Sequence, residues 1–476
     1  MENFTRSKSV YVSMFIMSVL TVLLIAFPTL GNASEEDEII EDELKYRINE
    51  DGTFTVVQYL GVAGKDVIIK EQIDGKDVTQ INSGVFYGRT LSSISIPNTV
   101  MRIGDATFEG ATIPEIVLPD SITTIGSASF NNIKADKIVL SNNIKEISSV
   151  SFSNAEINEL IMPNSVTKIN SSAFQYAEIP NFSLSEQLKE IGSNAFANFK
   201  SNNLTIPDSV VEIGSYAFNA LNLDGVLTIG NGASIIPDRS FGGATMTNLI
   251  LGNGVKEIGN YAFSDGDIKN IDLGEGVKRI GEFAFHNTRI TEITIPSSTE
   301  TIERYAFATP TLEKAVINGD NLKIGDWSFT YSGSGGESNL AEVTLNEGIQ
   351  EIGGYAFYEN KLTKVNIPDS VHFIGPGAFY GNEITSVTGM NNVREIGIVA
   401  FSRNNLERVV IPKNVESVGN WSFSENNLSE IVFQNSSIEF DRDEVLDKNQ
   451  ENPIDLTVVG YPASTSENYA NEYGYS

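Results

Sequence analysis

Apolar and polar positions along this chain repeat with one long period. Phenylalanine recurs at Phe86, Phe108, Phe130, Phe152, Phe174, Phe196, Phe218, Phe241, Phe263, Phe285, Phe307, Phe329, Phe357, Phe379, Phe401 and Phe423. The intervals are 22 residues six times, 23 once, 22 four times, 28 once and 22 three times. Five residues before each ring stands Ile, or in the last case Val, from Ile81 through to Val418. Each period also holds a short alternating stretch, often closed by proline, such as Ile94 to Pro97, Ile116 to Pro119, Leu204 to Pro207, Ile293 to Pro296 and Val409 to Pro412. Alternation of β-branched residues predicts a half-buried strand. The proline has no N–H to give and closes the strand there.

A period of 22 residues is too short for a strand plus a long helix, and one such coil cannot bury its own apolar edge. Coils of this size must stack. The expected fold is therefore a repeat solenoid over 65–434, of about sixteen coils, with one parallel sheet of short strands and irregular or 3₁₀ turns opposite. At ~4.7–4.9 Å per coil the stack is roughly 75–80 Å long. The Phe and Ile columns form its interior. This pattern overrides the three ordinary domains that a length of 476 residues would suggest.

The ends read differently. Arg6 and Lys8 precede an apolar run from Val10 to Phe27, then Pro28 and Gly31-Asn32-Ala33. A basic start, an apolar stretch and small residues predict a signal peptide over 1–33, or an uncleaved anchor. Both readings place the remainder outside the cytoplasm. Residues 34–43 are mostly acidic and read as a solvated linker. Residues 44–64, with Asn49 to Gly52 as a turn between alternating stretches, form an N-terminal capping hairpin. A C-terminal capping segment occupies 435–476, where Ser464 and Glu467 have the spacing of a capping box.

Composition narrows the chemistry. There are 62 acidic and 32 basic side chains, a net charge of −30; Glu2, Arg6 and Lys8 give residues 1–33 a charge of +1, so −31 remains. Nucleic acid is a poor partner for such a chain. Having no cysteine excludes disulfides and thiolate zinc sites. The two histidines, His286 and His372, have no repeated partner and read as solvated turn residues rather than a zinc or Ser-His-Asp set. No EF-hand loop is present. Carboxylates are too many for counting to exclude an acid pair acting on polysaccharide, but a flat solenoid offers no obvious enclosed pocket. We expect no catalytic residue, cofactor or metal.

The repeated unit resembles the BspA-like leucine-rich repeat family, whose unit reads approximately L-x-x-I-x-I-P-x-x-V-x-x-I-G-x-x-A-F. Residues 290–307 carry it in Ile290, Ile293, Ile295, Pro296, Ile302, Ala306 and Phe307, with Glu303 where Gly is usual. The resemblance covers about 65–434. The hairpin from Lys45 to Gly64 and the stretch Val458 to Ala470 are similar to the family's opening and closing elements. It implies a right-handed leucine-rich repeat superhelix. It also implies a bacterial surface or secreted protein that binds other proteins, host matrix components among them, in adhesion. No wall-sorting signal or appended wall-binding module is visible, which sets the chain apart from many members.

Two columns are candidate binding surfaces. The residue between the two inward positions of each strand points outward, and this column includes Val117, Val139, Ile161, Thr205, Thr294 and Val316. It is small, β-branched and nearly uncharged, so it suits a protein partner, although strands favour such residues in any case. Two residues before the repeated Phe, a second column becomes Tyr216, Arg239, Tyr261, Phe283, Tyr305, Trp327 and Tyr355, with Trp421 further on. Those rings suit either a stabilising ladder or a surface for glycan or protein. Ser332 to Ser338 explains the long interval before Phe357 and reads as an inserted surface loop. The expected function is an exported, non-enzymatic repeat protein whose sheet face binds a macromolecule; alternatives are a self-assembling envelope scaffold and a glycan binder. Membrane contact is expected only through the N-terminal segment.

Overall fold

In the computed structural model, residues 38–331, 337–440, 456–473 and 475 are described. The expected signal segment, residues 34–37 of the linker, most of the inserted loop and part of the C-terminal segment lie outside them. The chain winds into a solenoid of stacked coils, and the single helix among the described residues is Thr465–Tyr473.

Each coil contributes strands to two parallel ladders. The first uses the alternating stretch, as in Glu115–Val117, Lys134–Val139 and Glu156–Ile161. The second uses two-residue strands that end on the repeated Ile, such as Arg102–Ile103 and Thr124–Ile125. From Ile235–Ile236 to Glu439–Phe440 this second ladder runs unbroken through ten strands. The glycine after the Ile allows this close approach: a Cβ on Gly104 would lie 2.5 Å from the Ser83 nitrogen of the coil before.

The sixteen rings form one internal column. Each is at most 2% exposed. Successive centroids lie 4.7–5.5 Å apart with nearly parallel planes. Burial of each ring contributes about 1.5–3 kcal/mol. The column passes the inserted loop without a gap, since Phe329 and Phe357 are 5.2 Å apart. The return path consists of hydrogen-bonded turns rather than 3₁₀ helix. Two residues before every ring the backbone is left-handed, from Gly84 (φ 67°) to Trp421 (φ 53°).

Two sets of coils differ in the residue three places after the ring. In the N-terminal coils it is apolar and buried: Ala111, Ile133, Ala155, Ala177, Phe199 and Leu221. Here hydrogen bonding between coils starts at the next residue, where the Lys134 N–H donates to the Ala111 carbonyl and the Ile113 N–H to the Lys134 carbonyl. In the last coils the position holds Asn360, Asn382, Asn404 and Asn426, all nearly buried. Their Oδ1 atoms accept from the N–H groups of Leu340, Leu362, Ile384 and Leu406 at 3.0–3.3 Å. Their Nδ2 atoms donate to the ring residue's carbonyl one coil earlier, at 2.8–3.1 Å. First-ladder strands there begin three residues later, as in Lys364–Ile367 and Arg408–Ile411.

Both ends of the stack are covered. Leu44–Ile48 and Phe54–Tyr59 form an antiparallel hairpin around the turn Asn49 to Gly52, and Tyr59 packs on Phe86 at 5.7 Å. The acidic linker is corrected here: Glu38–Glu41 is a strand paired antiparallel with Leu44–Ile48. Its Ile39 packs against the core, while Glu38 and Glu41 find Lys45 and Lys70, so acidity did not keep it in solvent. At the other end Thr457–Val459 adds to Glu430–Phe433. The final helix begins where the Glu467 N–H donates to the Ser464 hydroxyl at 3.2 Å, while the Glu467 carboxylate accepts from the Ala463 N–H.

Candidate binding surfaces

Parallel register sets Val117 beside Val139 and Val139 beside Ile161 on one stretch of sheet. Val117 is 53% exposed and Ile161 40%, with Val139 half-buried between them. The other members of this column lie elsewhere: Thr205 pairs with Thr228 in a second stretch and Thr294 with Val316 in a third. The first break falls after Asn181–Phe182, which pairs with Glu156–Ile161 but not with Leu204–Ile206. The core is unusually crowded at this point. Phe182 and Phe199 add two rings to the column and pack on Phe174 and Phe196 at 5.2–6.3 Å. Beside the break a cleft of about 510 Å³ opens between Ile161, Met162, Pro180, Phe182 and Asn203.

The aromatic column forms a second stack outside the core. Tyr261, Phe283, Tyr305, Trp327 and Tyr355 follow one another at centroid distances of 4.8, 4.9, 5.9 and 4.4 Å. Arg239 closes one end, its guanidinium 4.6 Å from the Tyr261 ring centre. Gly377 closes the other, where a Cβ would fall 2.4 Å from Tyr355 Cε1. Tyr216, 41% exposed, makes no ring stack among the described residues. Every residue of this column has a left-handed backbone, which costs roughly 1–2 kcal/mol outside glycine; ring stacking offsets part of that cost. Tyr358 packs on Trp327 and Tyr380 at 5.3 and 5.1 Å. Burial and the Glu359 carboxylate, which accepts a hydrogen bond from its hydroxyl at 2.8 Å, push the Tyr358 pKa up to about 12.

His286 sits edge-on to Phe283 at 5.3 Å, near Tyr331. It is half-buried rather than solvated, and burial pulls its pKa below the ordinary imidazole value, with Asp265 opposing. His372 is exposed. Among the described residues no group of three or more His, Asp or Glu is placed to hold a metal ion, and no helix is long and apolar enough to cross a membrane.

Charges sit in rows. Lys134–Glu156, Lys168–Glu190, Lys278–Glu300 and Lys314–Glu342 pair equivalent positions of adjacent coils at 2.7–3.2 Å. They are exposed, and each contributes about 0–1 kcal/mol. Sequence reasoning missed two features. The buried asparagines were visible as a 22-residue spacing from Asn360 to Asn426. The second feature is the early start of the N-terminal strands, whose first residues line clefts of about 380 and 150 Å³ that share Pro180.

A family model for the BspA type leucine rich repeat region, in six copies, matches residues 79–199, 145–226, 225–334 and 336–448. No curated protein matches the chain. Among solved structures, a leucine-rich repeat protein from Bacteroides ovatus is 21% identical, covers 92% of this chain and 96% of its own, and has a TM-score of 0.43. A leucine rich cell surface protein from Faecalibacterium prausnitzii is 18% identical over 66% of this chain and 96% of its own, TM-score 0.35. The pneumococcal vaccine antigen PcpA is 20% identical over 92% and 96%, TM-score 0.31. Matched by the family model over most of its length, this chain belongs to the BspA-type leucine-rich repeat family.

Proposed function

We propose that this chain is an exported, non-enzymatic repeat protein that binds another protein through its first-ladder face, in cell-surface adhesion or contact with host matrix. One observation carries the reading: the row Val117, Val139, Ile161 leaves large apolar side chains in solvent on a rigid sheet. Contiguous exposed apolar surface is a feature of interaction sites. Solenoids present such faces at fixed spacing, so a partner's contacts are preorganised rather than assembled on binding. The surrounding net charge of −30 keeps the molecule soluble despite that patch.

The aromatic stack is, in this reading, an internal brace. A sugar packs on an aromatic ring through its open face, and the faces from Tyr261 to Tyr355 are spent on one another, on Arg239 and on Gly377. The test is a pull-down of matrix proteins and cell-wall fractions with the full chain, then with Val139→Glu and Ile161→Glu. A saturable partner lost in both variants supports the proposal. Binding retained in both, with the fold intact, moves the interface elsewhere. Light scattering separates the scaffold alternative, which requires self-association without a foreign ligand.

A further inference from the structure

A second surface lies at the early-starting ends of the N-terminal strands. It is a trench that runs along the solenoid axis rather than along a strand. One wall is the row Lys134, Glu156, Glu178, Lys200, in which equivalent residues are joined coil to coil by backbone bridges. These charges satisfy one another: Lys134 pairs with Glu156 at 2.8 Å and Lys200 with Glu178 at 3.4 Å. The opposite wall is Asp136, Asn158, Pro180, Asn202 and Asp224. Its two carboxylates have no ion-pair partner among the described residues. Asp136 accepts the Asn158 amide at 2.9 Å, while Lys137, next in sequence, is engaged by Glu159 at 3.0 Å and Lys134 by Glu156. The floor is apolar, formed by Ala135 and the buried Ile157.

The geometry points to an extended peptide segment with two basic side chains as the occupant of this trench, lying along the axis with one cation at Asp136 and one at Asp224. The two aspartates are four coils apart, roughly 19 Å at the spacing of stacked strands, which an extended chain covers in about six residues. The spent wall and the uncompensated wall make the trench selective: cations gain on one side, while acidic segments meet excess negative charge. Wall prolines suit a peptide that lies across the strands, because Pro180 offers no N–H and its carbonyl already accepts the Asn202 N–H at 3.1 Å. The trench therefore recognises side-chain charge and shape rather than adding a strand.

This surface is separate from the sheet-face site, and the experiment keeps the two apart. A random-peptide display library is selected on the full chain, and the winners are measured against Asp136→Asn/Asp224→Asn and against Val117→Glu/Val139→Glu. We expect selected peptides to carry paired Lys or Arg, to weaken about tenfold in the aspartate variant and with added salt, and to be unaffected by the valine variant. No enrichment over a blank surface, winners without basic residues, or affinity unchanged in the aspartate variant would overturn the proposal. Chitosan oligomers binding where no peptide does would assign the trench to a cationic glycan instead. Loss in the valine variant alone would return the site to the sheet face.

Discussion

The N-terminal and C-terminal coils solve one problem in two ways. In both, the chain must leave the phenylalanine column and enter the first ladder without orphaning buried N–H and C=O groups. Around Phe130 the neighbouring coil's backbone does this, because a small or apolar residue such as Ile133 lets the strand start early. Around Phe401 a buried asparagine does it. Asn404 Oδ1 takes the Ile384 N–H at 3.1 Å, the role that the Lys134 carbonyl plays for Ile113. Its Nδ2 reaches the Phe379 and Phe401 carbonyls at 2.9 and 3.0 Å. A side chain thus replaces a stretch of ladder. The consequence is local shape: early strands line the clefts around Pro180, while late strands begin after a tight corner.

The two halves share the ring column, so its loss should hurt both alike. Phe130→Ala and Phe401→Ala should each cost about 3–5 kcal/mol, read by denaturant unfolding together with hydrogen exchange, since a repeat array need not unfold in one step. A clear inequality would mean that one half leans less on its rings. The asparagine position should separate the halves. Asn404→Leu leaves several buried backbone groups unpaired and should cost roughly 3–4 kcal/mol, with faster amide exchange confined to the last coils. The reciprocal Ile133→Asn buries an amide where the backbone is already satisfied and should cost about 2–3 kcal/mol. If either exchange is neutral, the two corner designs are interchangeable and the distinction fails.

Smaller effects follow outside the core. Trp327→Ala removes the largest ring of the outer stack and should cost about 1–2 kcal/mol, with no change in affinity for a sheet-face partner. Lost affinity with unchanged melting would make that stack a ligand surface. Least of all, His286 should give a mild acid sensitivity. Its folded pKa lies below the unfolded value because burial disfavours the charged ring. Its contribution is therefore complete above the unfolded value near ~6.5 and shrinks as pH falls through that value toward the folded one. His286→Gln should flatten that part of the stability curve, and a proton titration of the ring should show the lowered midpoint.

The fold was legible in the sequence because the column depends on one residue type at one spacing, and nothing else explains Phe86 to Phe423. The asparagine corners were equally regular but were passed over, since Asn by composition signals an exposed turn. Phe182 and Phe199 stand outside the 22-residue register, yet they pack in the core where the sheet expected to run on past Ile161 to Thr205 is interrupted. Glu38–Glu41 was hidden by its own charge: a strand whose acids meet Lys45 and Lys70 reads as linker until the partners are known. The outward column was readable as a pattern, but its exposure depends on neighbours in the next coil, which alternation does not specify.

Between Phe329 and Phe357 the chain takes six extra residues, and the rings still meet at 5.2 Å. The column's contacts are therefore made between adjacent coils, and six extra residues leave its spacing unchanged. A gene encoding it can gain or lose whole units without a new contact having to be invented. The length of the solenoid is then a matter of how many units are copied, adjustable by recombination alone.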